Sequence, residues 1–302
     1  MLISGSSALL PLLATAPLRA RSAPLSASFA DVSASSLLLA AGNVHSATAT
    51  AVTAFVAVPA PARNTACAVL LLLSSIAWIK LCNLMSSAGI TSQYVSRKLV
   101  HMGSGPLFVL CWPLFTTGLG GQLAALCVPI LSVLRLLRAG RAPADSAAGA
   151  ELVRAISRSG DKREALEGPM VYTLVLVAAT AFGWRSLVSV VAVNQMAIGD
   201  GMADIIGRKF GRNRWPKWIE KSGKKSIEGS VAFAFFAFVA CALMVELFKL
   251  SGLATIGAAQ AAPALLLISV VAAIVELLPL GDDNLTVPLT SAVLAAILLG
   301  RA

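Results

Sequence analysis

The sequence predicts an all-α protein, a polytopic transmembrane bundle of about seven to eight helices, each needing roughly 17–25 residues to cross a bilayer. Hydrophobic residues make up 57% of the chain and charged residues 13%, against about 25% charged residues in soluble domains. The apolar residues are gathered into segments close to the length of a membrane span. Lys and Arg are concentrated in alternate loops, as the positive-inside rule requires.

Eight apolar segments supply the predicted spans. Several are short for a bilayer and would need neighbouring helices or local thinning. In chain order they are 66–84, 104–118, 121–138, 169–184, 186–206, 229–250, 263–280 and 285–300.

The positive charges orient this bundle. The loops 85–103, 135–168 and 207–228 hold 17 of the 24 Lys and Arg, and the loops between them hold almost none. We therefore expect the three basic loops to face one compartment, together with the short loop Gly281–Asn284. Membrane orientation explains the net charge of +10, so membrane lipid is an expected partner and nucleic acid is not.

The amino-terminal part has a different composition. Residues 1–30 are rich in Ser and Ala and contain Arg19 and Arg21, and the first acidic residue is Asp31. Such a leader is typical of an organelle transit peptide, with a secretory signal as the alternative. We predict a plastid transit peptide and low-complexity leader over 1–62 and a transmembrane domain over 63–302.

Asp200 and Asp204 lie inside an apolar segment, where a charged side chain costs roughly 2.5–3.5 kcal/mol on insertion scales. At positions i and i+4 of a helix they share one face. Two such carboxylates repel each other unless a cation lies between them, and Mg²⁺ takes one or two carboxylates plus substrate phosphates. We predict a metal site here. The alternative is a pair of interfacial acids neutralised by Arg208 and Lys209.

Lys225 and Ser226 lie at the start of an apolar helix. The free N–H groups and partial positive charge of a helix amino terminus favour anions, so this pair suits a nucleotide phosphate. The alternatives are a helix cap for Ser226 and a membrane anchor for Lys225.

Arg97, Lys98 and His101 are spaced to share a helical face. They form either a binding cluster or an interfacial group beside lipid headgroups.

A last polar group follows Glu276, whose carboxylate comes late in an apolar helix. Asp282 and Asp283 come soon after it, in the short loop assigned to the basic face. They could help to hold a metal or take a proton from an alcohol. The alternative is an ordinary polar turn.

In this order, the four clusters resemble the polyprenol kinase family, which includes plastid phytol and farnesol kinases and is related to dolichol kinases and phosphatidate cytidylyltransferases. The resemblance covers roughly residues 64–300. The matching stretches are SRKLVHMGSG at 96–105, GDGMADIIGRKFG at 199–211, KKSIEGS at 224–230 and VELLPLGDDNLTVP at 275–288. The chain departs from the family pattern in a longer, basic spacer after Gly211 and in the acidic side chain of Glu228.

The resemblance implies phosphoryl transfer, commonly from CTP, to a membrane-dissolved prenyl alcohol such as phytol, farnesol or geranylgeraniol. It implies Mg²⁺ held by Asp200 and Asp204 on the nucleoside triphosphate, with Asp200, Asp204 and Asp283 as catalytic residues. It also implies a multi-pass protein of the chloroplast envelope or thylakoid that feeds tocopherol biosynthesis. Nucleotide contacts are expected from Arg97, Lys98, His101, Arg208, Lys209, Lys225 and Ser226.

Two other functions remain open at the level of sequence. A phosphatidate cytidylyltransferase would use the same metal and CTP site but release pyrophosphate. A transporter using the intramembrane acids as an ion path would be expected to contain inverted repeats, and the sequence contains no evident internal repeat.

Overall fold

The computed structural model describes residues 54–55, 57–141, 168–220 and 224–300. The chain divides into two compact units, Met1–Phe55 and Val56–Ala302, and the fold below is that of the second. The predicted leader, residues 1–62, therefore lies almost wholly outside the described residues, and its boundary stays a prediction.

Helices make up the fold of the described residues, which confirms the all-α prediction. Across the described ranges, β-structure is limited to an isolated bridge between Arg214 and Ser226. In chain order the helices are α1 (Ala60–Ser87), α2 (Gln93–Leu110), α3 (Leu119–Arg141), α4 (Gly168–Phe182), α5 (Leu187–Asn194), α6 (Asp200–Phe210), α7 (Ile227–Leu250), α8 (Ala258–Leu277) and α9 (Asp283–Leu299).

Four of these helices are long and apolar enough to cross a membrane: α1, α3 over Leu119–Arg138, α7 and α8. The apolar helices α4 and α9 are shorter. The structure thus supports a helical protein with several candidate spans, and the larger number of seven to eight stays an expectation.

Neighbouring helices in the first half run antiparallel. Ser96 in α2 donates a hydrogen bond to the carbonyl oxygen of Cys82, near the end of α1. Asn64, near the start of α1, donates to Thr116, beyond the end of α2. In the same way, Gln122 at the start of α3 donates to the carbonyl oxygen of Thr180 at the end of α4, 3.0 Å away. The four helices therefore place their first and last turns alternately at two ends.

The structure differs from the sequence prediction around α2. The segment 85–103 was expected to be a basic loop, but α2 begins at Gln93 and contains the whole SRKLVHMGSG stretch. Ser92 caps it, because its hydroxyl accepts a hydrogen bond from the backbone N–H of Val95. The charged side chains of this stretch consequently point from the body of a helix into the bundle.

The predicted span 186–206 is interrupted by a π-helical turn. It consists of α5, the π turn Gln195–Gly199 and the first part of α6. Seven of the eight residues of α5 are buried, and the buried Gln195 side chain donates to Ser269 Oγ in α8 at 2.7 Å. Turns of this kind are frequent at functional sites, and this one directly precedes Asp200.

Candidate functional site

Lys98 joins the first two clusters predicted from the sequence. Its Nζ lies 3.0 Å from Asp200 Oδ2 and 3.0 Å from Asp204 Oδ2. The cation between the two carboxylates of α6 is thus a lysine of α2. Lys98 is only 8% exposed, which rules out the alternative that it is an anchor facing lipid headgroups.

Burial and the neighbouring carboxylates have opposite effects on the pKa of Lys98, and the same is true of His101. Burial disfavours the Lys98 ammonium, but the two carboxylates outweigh burial and raise the pKa of Lys98 above its usual value. Burial dominates at His101 and lowers its pKa to about 4, although Asp200 opposes the shift. His101 is therefore neutral near pH 7, and its contact with Asp200, 3.4 Å from Nε2 to Oδ2, involves an uncharged imidazole.

Two aromatic side chains fix the position of this part of α2. Trp78 of α1 donates from Nε1 to the carbonyl oxygen of Leu99 at 3.0 Å. Tyr172 of α4 donates from its hydroxyl to the carbonyl oxygen of His101 at 2.9 Å, and the two rings lie 4.5 Å apart. Both bonds hold α2 by its backbone, so the direction in which Lys98 and His101 point is set by their neighbours.

The basic residues of α6 lie at the edge of this cluster. Arg208 Nε donates to Asp204 Oδ1 at 2.8 Å, and the guanidinium lies 4.3 Å from the ring centroid of Tyr94. Its side chain is 60% exposed, so this ion pair contributes less than about 1 kcal/mol. Lys209 is exposed and lies over Phe210, so it does not join the cluster.

Lys225 joins the third and fourth predicted clusters. Its Nζ lies 2.9 Å from Glu276 Oε1 and 3.1 Å from Asp283 Oδ2, and it also donates to the backbone carbonyl of Glu276. Glu276 comes from α8 and Asp283 begins α9. The sequence marked Glu276 as an unfavourable intramembrane charge without assigning it to the site, and that energetic cost was the signal for its role.

The residues around Lys98 and the residues around Lys225 meet at Asp200. We call Lys98, Asp200, Asp204, Lys225, Glu276 and Asp283 the charged cluster.

Within the described residues, the carboxylates that approach a common point are Asp200, Glu276 and Asp283, whose nearest oxygens all lie within 4.8 Å of one another. Two oxygens bound to one Mg²⁺ lie at most about 4.2 Å apart, twice the Mg–O distance. The three carboxylates therefore fit a hard divalent cation after a small inward movement. Asp204 stands outside this group of three.

Ser226 has a structural partner. Its hydroxyl accepts a hydrogen bond from the backbone N–H of Gly229 at 3.1 Å and so caps α7. The side chain is buried, and its assignment to a nucleotide phosphate stays a prediction.

The basic spacer before α7 is held by two carboxylates. Glu228 accepts hydrogen bonds from the backbone N–H groups of Arg212 and Asn213, at 3.1 and 3.0 Å. Glu220 accepts from the backbone N–H of Lys224 at 2.9 Å. Glu228 therefore ties the spacer between α6 and α7 to the first turn of α7.

The glycines near Asp200 serve helix packing. A Cβ atom at Gly199 would lie 2.5 Å from Phe233, and one at Gly201 would lie 2.1 Å from Met102. Gly207 faces Ser226, and a Cβ there would lie 3.2 Å from its hydroxyl. These positions allow α6 and the π turn to lie close to α2 and α7, and that close approach brings Asp200 within reach of Lys98.

A cavity of about 590 Å³ opens beside the charged cluster. One end is lined by charged and polar residues, among them Arg97, Lys98, Asp200 and Asp283, and the rest is lined mainly by apolar side chains of α1 to α4. Its volume is in the range of small-molecule sites. The arrangement suits a ligand with a polar head and an apolar body.

Comparison with curated proteins gives relatives over most of the chain. It is 38% identical over 219 residues to the chloroplastic farnesol kinase of Arabidopsis thaliana, covering 70% of this chain and 67% of that protein. It is 34% identical over 249 residues to probable phytol kinase 1, chloroplastic, of Oryza sativa subsp. japonica, covering 81% and 77%. It is 34% identical over 218 residues to phytol kinase 1, chloroplastic, of Arabidopsis thaliana, covering 71% and 69%. No family model and no solved structure matches the chain.

The charged cluster is formed by the same four stretches that carry the sequence resemblance, and the identity to these relatives extends over more than two thirds of each protein. The chain therefore belongs to the family of plant phytol and farnesol kinases.

Proposed function

We propose that this protein transfers a phosphoryl group from CTP to the hydroxyl of an isoprenoid alcohol, namely phytol, farnesol or geranylgeraniol. The observation that carries the proposal is the cavity, whose charged end adjoins four carboxylates and two lysines and whose body is apolar. A prenyl alcohol has the matching shape, with one hydroxyl at the end of a hydrocarbon chain.

The proposed reaction is a single transfer of the γ-phosphoryl group. The alcohol oxygen forms a bond to the γ-phosphorus of CTP while the bond from that phosphorus to the bridging oxygen breaks. The electron pair of the broken bond leaves with CDP, and the hydroxyl proton passes to a base. Catalysis of this kind depends mostly on positioning and on neutralising the phosphate charge, which a cluster of fixed charges can do.

The residues take distinct parts in this proposal. Asp200 with Glu276 and Asp283, and Asp204 as the sequence predicts, would hold Mg²⁺, which when bound would neutralise phosphate charge. Asp283 lines the cavity and would accept the hydroxyl proton. Lys98 and Lys225 would neutralise and position the carboxylates that they contact. Phosphate contacts are assigned to the remaining basic and polar groups: Arg97, His101, Arg208, Lys209 and Ser226.

The same proposal places the protein in a chloroplast membrane, envelope or thylakoid, where phosphorylated phytol would feed tocopherol biosynthesis. Two observations support this location. The curated relatives named above are described as chloroplastic, and the first 30 residues are rich in Ser and Ala and lack acids.

The test uses membranes from a host that expresses the full chain. They receive Mg²⁺, one prenyl alcohol, and CTP or ATP labelled at the γ-phosphate, and the lipids are then chromatographed. We expect a labelled prenyl monophosphate from CTP. A product from ATP alone would refute CTP as the phosphoryl donor. The absence of product with either nucleotide would refute the kinase activity. A parallel assay supplies phosphatidate and CTP labelled at the α-phosphate, and labelled CDP-diacylglycerol there would instead establish a cytidylyltransferase.

Variants and chelation complete the test. Asp200→Asn should abolish transfer while the protein remains inserted, and removal of divalent cations with EDTA should do the same to the unsubstituted protein. Glu246→Gln is the matched control, because Glu246 accepts a hydrogen bond from the N–H of Ala258, away from the charged cluster. Full activity of Asp200→Asn would remove Asp200 from the metal site.

A further inference from the structure

The lining residues of α2 show where the two ends of the cavity lie. Arg97, His101, Ser104 and Phe108 all line it, and their spacing of three to four residues places them along one face of the helix. At 1.5 Å per residue, the eleven steps from Arg97 to Phe108 span about 16 Å. The charged end therefore lies at Arg97 and the opposite end at Phe108.

The lining residues of α1, α3 and α4 follow the same order from the charged end to the Phe108 end. In α4 the lining runs from Gly168 to Leu176, and Gly168 packs beside Asn284 in the first turn of α9, next to Asp283. Since α1 and α2 are antiparallel, as are α3 and α4, Leu72 of α1 and Val128 of α3 lie toward Phe108.

The end of the cavity away from Asp200 is lined by buried apolar side chains. Phe108 is 3% exposed, Val128 4% and Leu176 7%. Phe108 is also backed by Trp112, with the ring centroids 5.8 Å apart in an edge-to-face arrangement, and Trp112 in turn packs on Trp184 at 5.3 Å. The aromatic stack therefore supports Phe108 from the side away from the cavity.

We propose that Phe108 and Leu176 form the floor of the site for the hydrocarbon chain and set the longest prenyl alcohol that the protein accepts. This inference rests on the proposed function. A hydroxyl at the charged end fixes one end of the alcohol, and the remaining carbons must fit between it and the floor. Packed interiors do not yield to an added methylene group without strain, so chain length is selected by the position of the floor.

The first experiment changes the floor and measures selectivity. We compare kcat/KM for farnesol, geranylgeraniol and the homologue one isoprene unit longer in the unsubstituted protein, Phe108→Ala and Leu176→Phe. Phe108→Ala should raise the ratio for the longest alcohol over farnesol by at least about tenfold, the discrimination that one methylene can give in an apolar pocket. Leu176→Phe should lower the ratio for geranylgeraniol over farnesol.

Phe248→Ala is the matched control. Phe248 is fully buried in α7 but does not line the cavity, so its loss costs core packing without moving the floor. Equal ratios in Phe108→Ala and Phe248→Ala would overturn the inference while leaving the kinase intact. If the unsubstituted protein phosphorylates no alcohol, the proposed function itself fails.

The second experiment needs neither turnover nor a substituted protein. Farnesol with a diazirine at the carbon farthest from the hydroxyl is photolysed in membranes containing the full chain, and the labelled peptides are identified by mass spectrometry. We expect label at the floor, in the peptides containing Leu72, Phe108, Val128 or Leu176, competed by unlabelled farnesol. Label confined to α7 or α8, or label that farnesol does not compete, would overturn the assignment.

Discussion

Replacement of Lys98 by Met should destabilise the protein far more than loss of a surface charge. Lys98 is 8% exposed and is the ammonium between Asp200 and Asp204. Its removal leaves Asp204 with Arg208. Asp200, however, keeps only the imidazole of His101 as its neighbour in this part of the cluster.

The magnitude follows from the geometry. At 3.0 Å and an effective dielectric constant of about 20, each Lys98–carboxylate contact is worth about 5 kcal/mol before desolvation is subtracted. Removing one partner of a buried ion pair costs about 3–5 kcal/mol in practice. The Asp200 and Asp204 side chains keep 20% and 21% of their exposure. We therefore expect the lower end, a loss of about 3 kcal/mol in the free energy of unfolding.

The measurement is the unfolding free energy in detergent micelles, followed by tryptophan fluorescence. Lys80→Met is the control, since Lys80 is exposed on α1, and it should change the free energy by less than about 0.5 kcal/mol. Adding Asp200→Asn to Lys98→Met should recover part of the loss, because the unpaired charge is then gone. A loss no larger than that of Lys80→Met, or no recovery in the double variant, would refute the reasoning.

Three further substitutions test the site and its support. Lys225→Met should abolish phosphoryl transfer and lower stability, and adding Glu276→Gln should restore stability but not transfer, as thermal unfolding and the transfer assay can determine. Gly229→Ala should cost about 1–3 kcal/mol of unfolding free energy by overpacking, because its Cβ would lie 2.8 Å from the carbonyl oxygen of Ala203. Glu228→Ala should release the spacer between α6 and α7 and speed its cleavage in limited proteolysis.

Each of these has a control and a contrary outcome. Transfer by Lys225→Met at the rate of Lys80→Met would exclude Lys225 from the site. Gly118→Ala should be tolerated, since a Cβ there meets no atom within 4 Å, and an equal effect at Gly229 would contradict the packing argument. Unchanged cleavage in Glu228→Ala would show that the spacer is held by other contacts.

Sequence patterns were sufficient for the all-α fold class, and they singled out most residues of the charged cluster. A charged residue in an apolar segment is costly, so Asp200, Asp204 and Glu276 could be singled out without any coordinates. Lys225 was singled out by its place at the start of an apolar helix. The helical spacing of Asp200 and Asp204 also predicted correctly that they share a face, since both contact Lys98. The segment 85–103 was wrongly placed in a loop, because the sequence rule counts charges without knowing whether a partner compensates their burial.

The sequence by itself determined an apolar helical protein, the residues that carry charge within it and, through its resemblance, the kinase family. Only the tertiary structure decided which charges meet. It placed Lys98 between the acids of α6 and brought Glu276 and Asp283 to Asp200. It also formed a cavity lined by charged residues such as Asp200 and by apolar residues such as Phe108. The physical reason is that costs of burial are local and can be read from neighbours in the chain, whereas the pairing that offsets them depends on how distant helices pack.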